Sequence, residues 1–358
     1  MDEATNVASS TTVYPQQRGN LIDRRLQATT KTLEEPIGSR HNMTTLRIAL
    51  PQLYPVWLDR SGGLDQVIET IRSAAKESAD LIVFSEGFVP GYPFWLDQSG
   101  GANFDNPVQK EIFAHYSNQA VTIEDGHLES VCAALKEAKM ACYLGIIERP
   151  RDISGHSLFA SFVYIDQSGT IQSVHRKLRP TFDERLVWSP GDGHGLVVHR
   201  LGDFTVGGLN CWENWMPLVR ASLYGQGEDL HVACWPGSQR NTADLTPVLA
   251  KEGRSYCVSV SALMNRDQVS DDIPHADHIR DTISAVSADG GSCIAAPDGS
   301  WVLPPLVGEV GIRYADLDPA KVRQERQSFD PAGHYSRPDV TQLSVDRRRQ
   351  NTVDFKDE

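Results

Sequence analysis

Three residues whose side chains can do chemistry stand where predicted strands end. Glu86 follows the apolar run "DLIVF" (80–84), Lys177 ends a strand in "HRKLRPTFDERLVW", and Cys211 opens "CWENWMPL". The carboxyl ends of strands in an α/β sheet converge, so these side chains could meet in one pocket. A thiol nucleophile, a carboxylate base and a lysine that stabilises negative charge can together attack an electrophilic carbon. The sequence therefore predicts covalent catalysis at Cys211.

The surroundings of Glu86 and Lys177 favour a buried site. Glu86 lies between Phe84 and Phe88, and apolar surroundings raise the pKa of a carboxyl group toward the range of a general base. Glu184 follows Lys177 by seven residues and could pair with it, which would hold the ammonium charged and in position. The ordinary alternatives are a solvated loop carboxylate and a lysine on an edge strand.

Cys211 stands where a predicted strand turns into a helix. The free N–H groups and the dipole at a helix N-terminus stabilise a thiolate, and they could also hold charge that develops on a substrate atom. The alternative is a buried core thiol. We interpret the other five cysteines in that way: Cys132, Cys142, Cys234, Cys257 and Cys293.

Strand and helix patterns alternate along the chain. Residues 157–166 and 170–176 flank a turn signature and predict a hairpin, and short apolar runs predict strands near 292–296 and 309–316. This alternation favours a layered α/β domain with a mixed sheet. The predicted organisation is a flexible N-terminal extension at 1–42, a catalytic domain at 43–320, and a charged tail at 321–358 that docks on a neighbouring subunit.

Composition excludes several classes of protein. The 47 acidic and 34 basic residues give a net charge of −13, which argues against a nucleic-acid binder or a basic membrane-surface protein. No apolar run approaches the length of a membrane span. The six cysteines form no recognised zinc or disulfide spacing, so we expect reduced thiols and a cytoplasmic location.

Taken in order, the three motifs resemble the nitrilase branch of the carbon–nitrogen hydrolases. The likeness covers roughly residues 45 to 340 and includes "AAPDGSWVLPPL" (295–306) and "DPAGHYSRPDV" (330–340). Trp212-Glu213 after the cysteine also resembles the nitrilase branch, because many amidase branches carry other residues there.

The resemblance implies a fold, a site and an assembly. The fold is a four-layer α-β-β-α sandwich with two mixed sheets. The site is a Glu-Lys-Cys triad on Glu86, Lys177 and Cys211, with Glu184 as an additional active-site glutamate. The resemblance also implies a small-molecule nitrile as substrate, no cofactor or metal, and homodimers that assemble into larger homo-oligomers or spirals.

The implied reaction begins with attack of Cys211 on the nitrile carbon, which forms a thioimidate. Glu86 takes the thiol proton and later activates water, and Lys177 acts with a backbone N–H near Trp212 to stabilise negative charge. Ammonia and a carboxylic acid leave. Aromatic residues are candidates for the pocket walls, although they could equally pack the core: Tyr92, Trp188, Trp212 and Trp215.

Other readings stay open at this stage. The same triad would serve an amidase, an N-carbamoyl hydrolase, or an enzyme that forms an amide or acts on cyanide. A cysteine peptidase would need a histidine base, for which the candidates are His175, His194, His199 and His231. A metal site would use His275, Asp277 and His278, and a scaffold without turnover is a further alternative.

Overall fold

Two mixed β-sheets form the centre of the structure, a computed structural model that describes residues 45–351, 353 and 356. The predicted extension at 1–42 lies outside these residues. Within them the strands are β1 Leu46–Gln52, β2 Leu81–Val83, β3 Ala141–Glu148, β4 Phe159–Ile165, β5 Ile171–Arg176, β6 His199–Leu201, β7 Phe204–Asn210, β8 Leu230–Cys234, β9 Tyr256–Val260, β10 Leu263–Asn265, β11 Val286–Ala295, β12 Trp301–Val307 and β13 Gly311–Leu317. The helices are α1 Arg60–Lys76, α2 Pro107–Gln119, α3 Glu129–Ala138, α4 Pro217–Tyr224, α5 Gln239–Thr242, α6 Leu245–Gly253, α7 Ala276–Thr282 and α8 Pro319–Arg326.

Each sheet has a parallel centre and antiparallel edges. The first has the order β13-β1-β2-β3-β4-β5, in which β1, β2 and β3 are parallel. The second has the order β10-β11-β9-β8-β7-β6, with β7, β8 and β9 parallel and β12 paired to β11. The predicted hairpin is β4 paired with β5.

The sheets pack face to face, and helices cover their outer faces. Side chains of both sheets, among them Phe162 and Val232, share one buried core. Apolar residues of α1 and α3 pack on the outside of the first sheet, while α4 and α6 cover the second. Because the central strands, such as β2, β3, β8 and β9, are buried on both faces, they read as mostly apolar runs. The expected four-layer α-β-β-α sandwich is confirmed.

Gly145 of β3 lets the loop that carries Glu86 pass close to the sheet. A Cβ atom at this position would lie 2.0 Å from the carbonyl oxygen of Ser85. The N–H of Glu86 donates to the carbonyl of Trp235, which follows β8 in the other sheet, at 3.2 Å. The loop is therefore fixed at the junction between the two sheets.

The end of the described tail lies against its own chain. Arg349 donates to the Asp192 carboxylate at 3.1 Å, and the N–H of Gln350 donates to the same carboxylate at 3.0 Å. Docking of the tail on a neighbouring subunit stays a prediction. No helix in the described part of the chain combines the length and apolar character needed to cross a bilayer.

Candidate active site

Lys177 is the centre of a buried polar cluster. Its Nζ donates to Glu86 Oε1 and to Glu184 Oε2, both at 2.7 Å. Tyr92 donates its hydroxyl proton to the other oxygen of Glu184 at 2.7 Å. All three charged side chains are buried, so the two carboxylates and the ammonium compensate one another in a region that water does not screen.

Cys211 faces this cluster from the other sheet. Its Sγ and one carboxylate oxygen each of Glu86 and Glu184 lie within 4.8 Å of one another. Cys211 begins a 3-10 helix, Cys211–Trp215, directly after β7, and its φ is +50°. A non-glycine residue with positive φ is uncommon and strained, and such strain is concentrated at functional positions. The turn places the Cys211 thiol at the end of β7, close to the carboxylates of Glu86 and Glu184.

Capping boxes hold two of the glutamates. Glu184 accepts from the N–H of Thr181 at 2.6 Å in the 3-10 helix Phe182–Leu186. Glu213 accepts from the N–H of Asn210 at 2.8 Å in the turn after β7. In both boxes the third residue of the helix reaches back to the N-cap, which fixes its carboxylate.

Burial raises the pKa of Glu86 to about 7, although the charge of Lys177 opposes the shift and the Glu184 carboxylate adds to it. Within the described residues, Glu86 Oε2 accepts no hydrogen bond of ordinary geometry. A carboxylate that titrates near neutral pH and has a free oxygen is well suited to accept a proton.

The pKa values of the Cys211 thiol and the Lys177 ammonium are both raised, which keeps the thiol neutral and the ammonium charged. Burial and the charge of Glu86 raise the pKa of Cys211 well above its ordinary value, while Lys177 and the backbone N–H of Trp212 oppose that rise. Burial would lower the pKa of Lys177, but the charge that Cys211 carries when ionised, together with the charges of Glu86 and Glu184, raises it well above its ordinary value. The cysteine therefore rests as a thiol and needs a base, while the lysine stays charged.

We expect the activity of this site to fall in acid with a midpoint near pH 7. Glu86 accepts a proton only as the carboxylate, so kcat/KM rises as the pH passes upward through its pKa of about 7 and falls about tenfold per pH unit well below it. The measurement is kcat/KM from pH 5 to 9 with an uncharged substrate, after preincubation at each pH to verify that inactivation is reversible. A midpoint near the ordinary glutamate pKa would contradict this assignment.

Two of the predicted pocket aromatics border the cluster directly. The Lys177 ammonium lies 5.6 Å from the ring centroid of Trp188, and Tyr92 packs edge-on against Trp188 at 5.5 Å. Trp188 donates its indole N–H to Tyr116 at 3.2 Å. These rings form an apolar wall and help to keep the ammonium out of water.

The other two predicted aromatics stack on each other at the surface. The rings of Trp212 and Trp215 lie 4.9 Å apart and nearly parallel, and the two residues are 39% and 52% exposed. Both line a concavity shared with Arg240 and Val248. The structure thus brings Tyr92 and Trp188 to the buried cluster and leaves the tryptophan pair at an outer surface.

The four histidines considered as bases have other partners. His175 contacts Glu213, His231 contacts Glu228, His199 contacts Ser173, and His194 contacts the carbonyl of Arg347. Within the described residues none of these four imidazoles hydrogen-bonds to Cys211, so they do not form a Cys/His peptidase arrangement with it.

The three residues considered as metal ligands also have other partners. His275 contacts Glu111, His278 contacts the carbonyl of Ser99, and Asp277 forms an ion pair with Arg280. The cluster of Glu86, Glu184 and Cys211 has ligand-type atoms within reach of one another, but the Lys177 ammonium already lies between its carboxylates and would repel a cation.

Two contacts at the site are not predicted by looking for polar residues at strand ends. Tyr92 is expected as a wall but holds Glu184 by a hydrogen bond, and Glu213 contacts His175 beneath the cysteine turn. The capping pattern, a polar residue followed three positions later by glutamate, is present at Thr181-Glu184 and Asn210-Glu213 and is the signal that points to these carboxylates.

Known proteins resemble this chain over most of its length. The family model for carbon-nitrogen hydrolases matches residues 47–327. An aliphatic nitrilase of Rhodococcus rhodochrous is 31% identical over 86% of this chain and 85% of its own. An arylacetonitrilase of Macrophomina phaseolina is 33% identical over 88% of this chain and 95% of its own.

Solved structures share the fold at lower identity. A carbon-nitrogen hydrolase from Helicobacter pylori superimposes with a TM-score of 0.61 at 16% identity, covering 82% of this chain and 96% of its own. A mutant amidase of the nitrilase superfamily from Nesterenkonia gives a TM-score of 0.59 at 19% identity, covering 80% of this chain and 95% of its own. The sequence matches together show that this chain belongs to the carbon–nitrogen hydrolase family and, within it, to the nitrilase branch.

Proposed function

We propose that this protein is a nitrilase, which converts an organic nitrile and two water molecules into a carboxylic acid and ammonia. One observation carries the proposal. A buried ammonium bridges two carboxylates at 2.7 Å each, and the only thiol that faces them in the described structure opens a strained turn at a strand end. The proposal is supported by sequence identities of 31% and 33% to two nitrilases, each over more than four fifths of this chain.

In the first half of the reaction, Cys211 attacks the nitrile carbon. Glu86 takes the thiol proton, the S–C bond forms, and the proton passes to the nitrile nitrogen to give a thioimidate. Lys177 and the N–H of Trp212 stabilise the negative charge that develops on that nitrogen. Because these donors are already in place, little reorganisation is needed when the charge appears.

In the second half, water replaces nitrogen and then sulfur. Glu86 takes one proton from water as the water oxygen adds to the thioimidate carbon; this proton and the remaining hydroxyl proton pass to the nitrogen, which leaves as ammonia, and a thioester remains. A second water, activated in the same way, adds to the thioester carbon; the C–S bond breaks, the acid leaves, and Glu86 returns the proton to the Cys211 sulfur. Glu184 holds Lys177 in position through the hydrogen bond at 2.7 Å.

A panel of nitriles and their matching amides tests this function. The nitriles should include aliphatic, arylaliphatic and aromatic members, because the similar proteins include aliphatic nitrilases and arylacetonitrilases, together with cyanide. Ammonia, acid and amide are quantified for each compound. We expect acid and ammonia in equal amounts from at least one organic nitrile, with much slower turnover of its amide.

Different products would point to different enzymes on the same scaffold. Turnover of amides or N-carbamoyl compounds but not nitriles would contradict the proposal and favour an amidase or N-carbamoyl hydrolase. Accumulation of the amide would indicate a hydratase-type reaction, and turnover of cyanide alone would assign a different substrate.

We also propose that the subunits pair and assemble into larger homo-oligomers or spirals. Exposed apolar side chains on and beside α4 and α6 could be covered by a partner subunit; they are Trp212, Trp215, Met216, Leu218 and Val248, of which Trp212, Trp215 and Val248 line one concavity. Light scattering after size exclusion measures the assembly, and a monomer would contradict it.

We further propose a cytoplasmic location and a catalytic domain at residues 43–320. All six cysteines are free, which fits a reducing compartment. The family match begins at residue 47 and reaches 327, so it includes α8.

A further inference from the structure

The carboxylate of Glu213 bonds to two backbone N–H groups and to the side chain of His175 at a buried point. Its Oε1 accepts from the N–H of Leu178 at 2.6 Å, and its Oε2 accepts from the N–H of Asn210 at 2.8 Å. His175 Nε2 lies 3.0 Å from Oε2 and 3.2 Å from Oε1, and it donates because an ionised carboxylate only accepts. Glu213 and His175 are both buried.

These partners flank the two residues that do the chemistry. Asn210 immediately precedes Cys211, and Leu178 immediately follows Lys177. The strands that deliver them, β5 and β7, belong to different sheets, so no ladder of strand pairing sets their relative position. The Glu213 carboxylate bonds to both backbones and therefore spans the gap between the sheets at the site.

The ionisation state of Glu213 agrees with the hydrogen bonds that its carboxylate accepts. Burial would raise the pKa of Glu213, but the charge and hydrogen bond of His175 and the two backbone N–H groups bring the pKa below its ordinary value. The carboxylate is therefore ionised at neutral pH and accepts all of these bonds. His175 Nδ1 has no hydrogen-bond partner in the described structure, so within these residues the imidazole bonds only through Nε2 to Glu213.

We infer that Glu213, supported by His175, is a positioning residue that aligns the Cys211 thiol with the Lys177 ammonium. The inference rests on the proposed function, because it concerns the alignment of that reaction's groups. Neither side chain needs to touch the substrate. A displacement of about 1 Å in such a site costs on the order of 10²-fold in rate.

Glu213→Gln is the first test. Both carboxylate oxygens accept from a backbone N–H, so the amide NH₂ of glutamine must face one of these donors and break that bond. We expect kcat to fall about 10²-fold while KM changes by no more than about threefold, since the substrate contacts stay. We also expect Cys211 to react about tenfold more slowly with iodoacetamide at neutral pH, because it loses the alignment with Lys177 that favours the thiolate.

Glu148→Gln is the matched control. Glu148 is also a buried carboxylate that binds β5, through Arg176 at 2.8 and 2.9 Å, and among the described residues it forms no hydrogen bond or ion pair with the cysteine turn. We expect this variant to lose thermal stability while its kcat and its rate of Cys211 alkylation stay within about threefold of wild type, as for a change that removes only structural contacts.

His175→Gln keeps the inference testable if Glu213→Gln does not fold, because it leaves both backbone bonds of the carboxylate in place. We expect a fall in kcat of about tenfold, because the flexible amide of glutamine holds the carboxylate less firmly than the buried imidazole does. The double variant should lose no more kcat than Glu213→Gln alone, since the two residues act as one unit.

The outcomes separate this inference from the proposed function. If Glu213→Gln and His175→Gln keep kcat and alkylation rate within about threefold of wild type, as expected for Glu148→Gln, the pair has only a structural role and the inference is wrong. If wild type hydrolyses no nitrile but both variants still slow the alkylation of Cys211, the proposed function fails and the positioning role stands.

Discussion

Cys211→Ala should abolish nitrile hydrolysis, with a fall in kcat of about 10⁵-fold or more, as when the nucleophile of a covalent enzyme is removed. The thiol is the only atom at the site able to bond to the substrate carbon in the proposed reaction. Its removal leaves Lys177 paired with Glu86 and Glu184, so the variant should stay folded. The measurement is ammonia release under substrate excess, with circular dichroism to verify the fold.

Cys257→Ala is the control for this result. Cys257 is a buried thiol in β9 and has no role in the proposed reaction, so its variant should retain turnover within a few-fold of wild type. Turnover by Cys211→Ala comparable to that of Cys257→Ala would remove Cys211 as the nucleophile.

Lys177→Met should cost both activity and stability. The methionine fills a similar volume but leaves two buried carboxylates without the ammonium that bridges them at 2.7 Å. Loss of the group that stabilises the transition-state charge lowers kcat about 10³-fold. Breaking a buried ion pair by removal of one partner costs about 3–5 kcal/mol in the free energy of unfolding. Chemical denaturation and ammonia release measure the two effects.

A double variant separates these effects. Lys177→Met with Glu184→Gln removes one of the stranded charges, so it should recover a large part of the lost stability while it remains as inactive as the single variant. Recovery of activity together with stability would show that Lys177 acts only through folding and would contradict its catalytic role.

The sequence predicts the local parts of the site well. The seven-residue spacing of Lys177 and Glu184 predicts a pair, and the structure has that hydrogen bond at 2.7 Å. The apolar flanks of Glu86 predict a raised pKa, which the structure bears out. The Lys177–Glu184 pair follows from contacts within one short segment, which a pattern of residue types can encode, whereas the burial of Glu86 also depends on how its loop meets the second sheet.

Contacts between distant segments are harder to predict. Glu86 and Lys177 are 91 residues apart, and their hydrogen bond depends on how the loops after β2 and β5 meet. The expectation that a helix N-terminus stabilises the Cys211 thiolate holds only in part. The Trp212 N–H acts in that direction, but burial outweighs it and raises the pKa, and the depth of burial depends on how the two sheets pack.

In the fold, too, the sequence predicts local features better than features that depend on distant segments. The pattern predicts the β4–β5 hairpin, whose partners adjoin in the chain. It does not predict β12, a strand that contains Pro304 and Pro305. Proline interrupts a strand pattern and is tolerated where its missing N–H is not needed by the ladder. β12 pairs with β11 outside the main strand order, at the margin of its sheet.

The central claim is that the Cys211 thiol bonds to the substrate carbon, and mass spectrometry of the acid-quenched enzyme tests it most directly. The enzyme is mixed with a nitrile that it hydrolyses, quenched during turnover, and digested. We predict an adduct on the peptide that contains Cys211, with the added mass of the whole nitrile for the thioimidate or of the acyl group for the thioester, and no adduct in Cys211→Ala. An adduct confined to a different residue, or turnover without any covalent adduct at Cys211, would contradict the account.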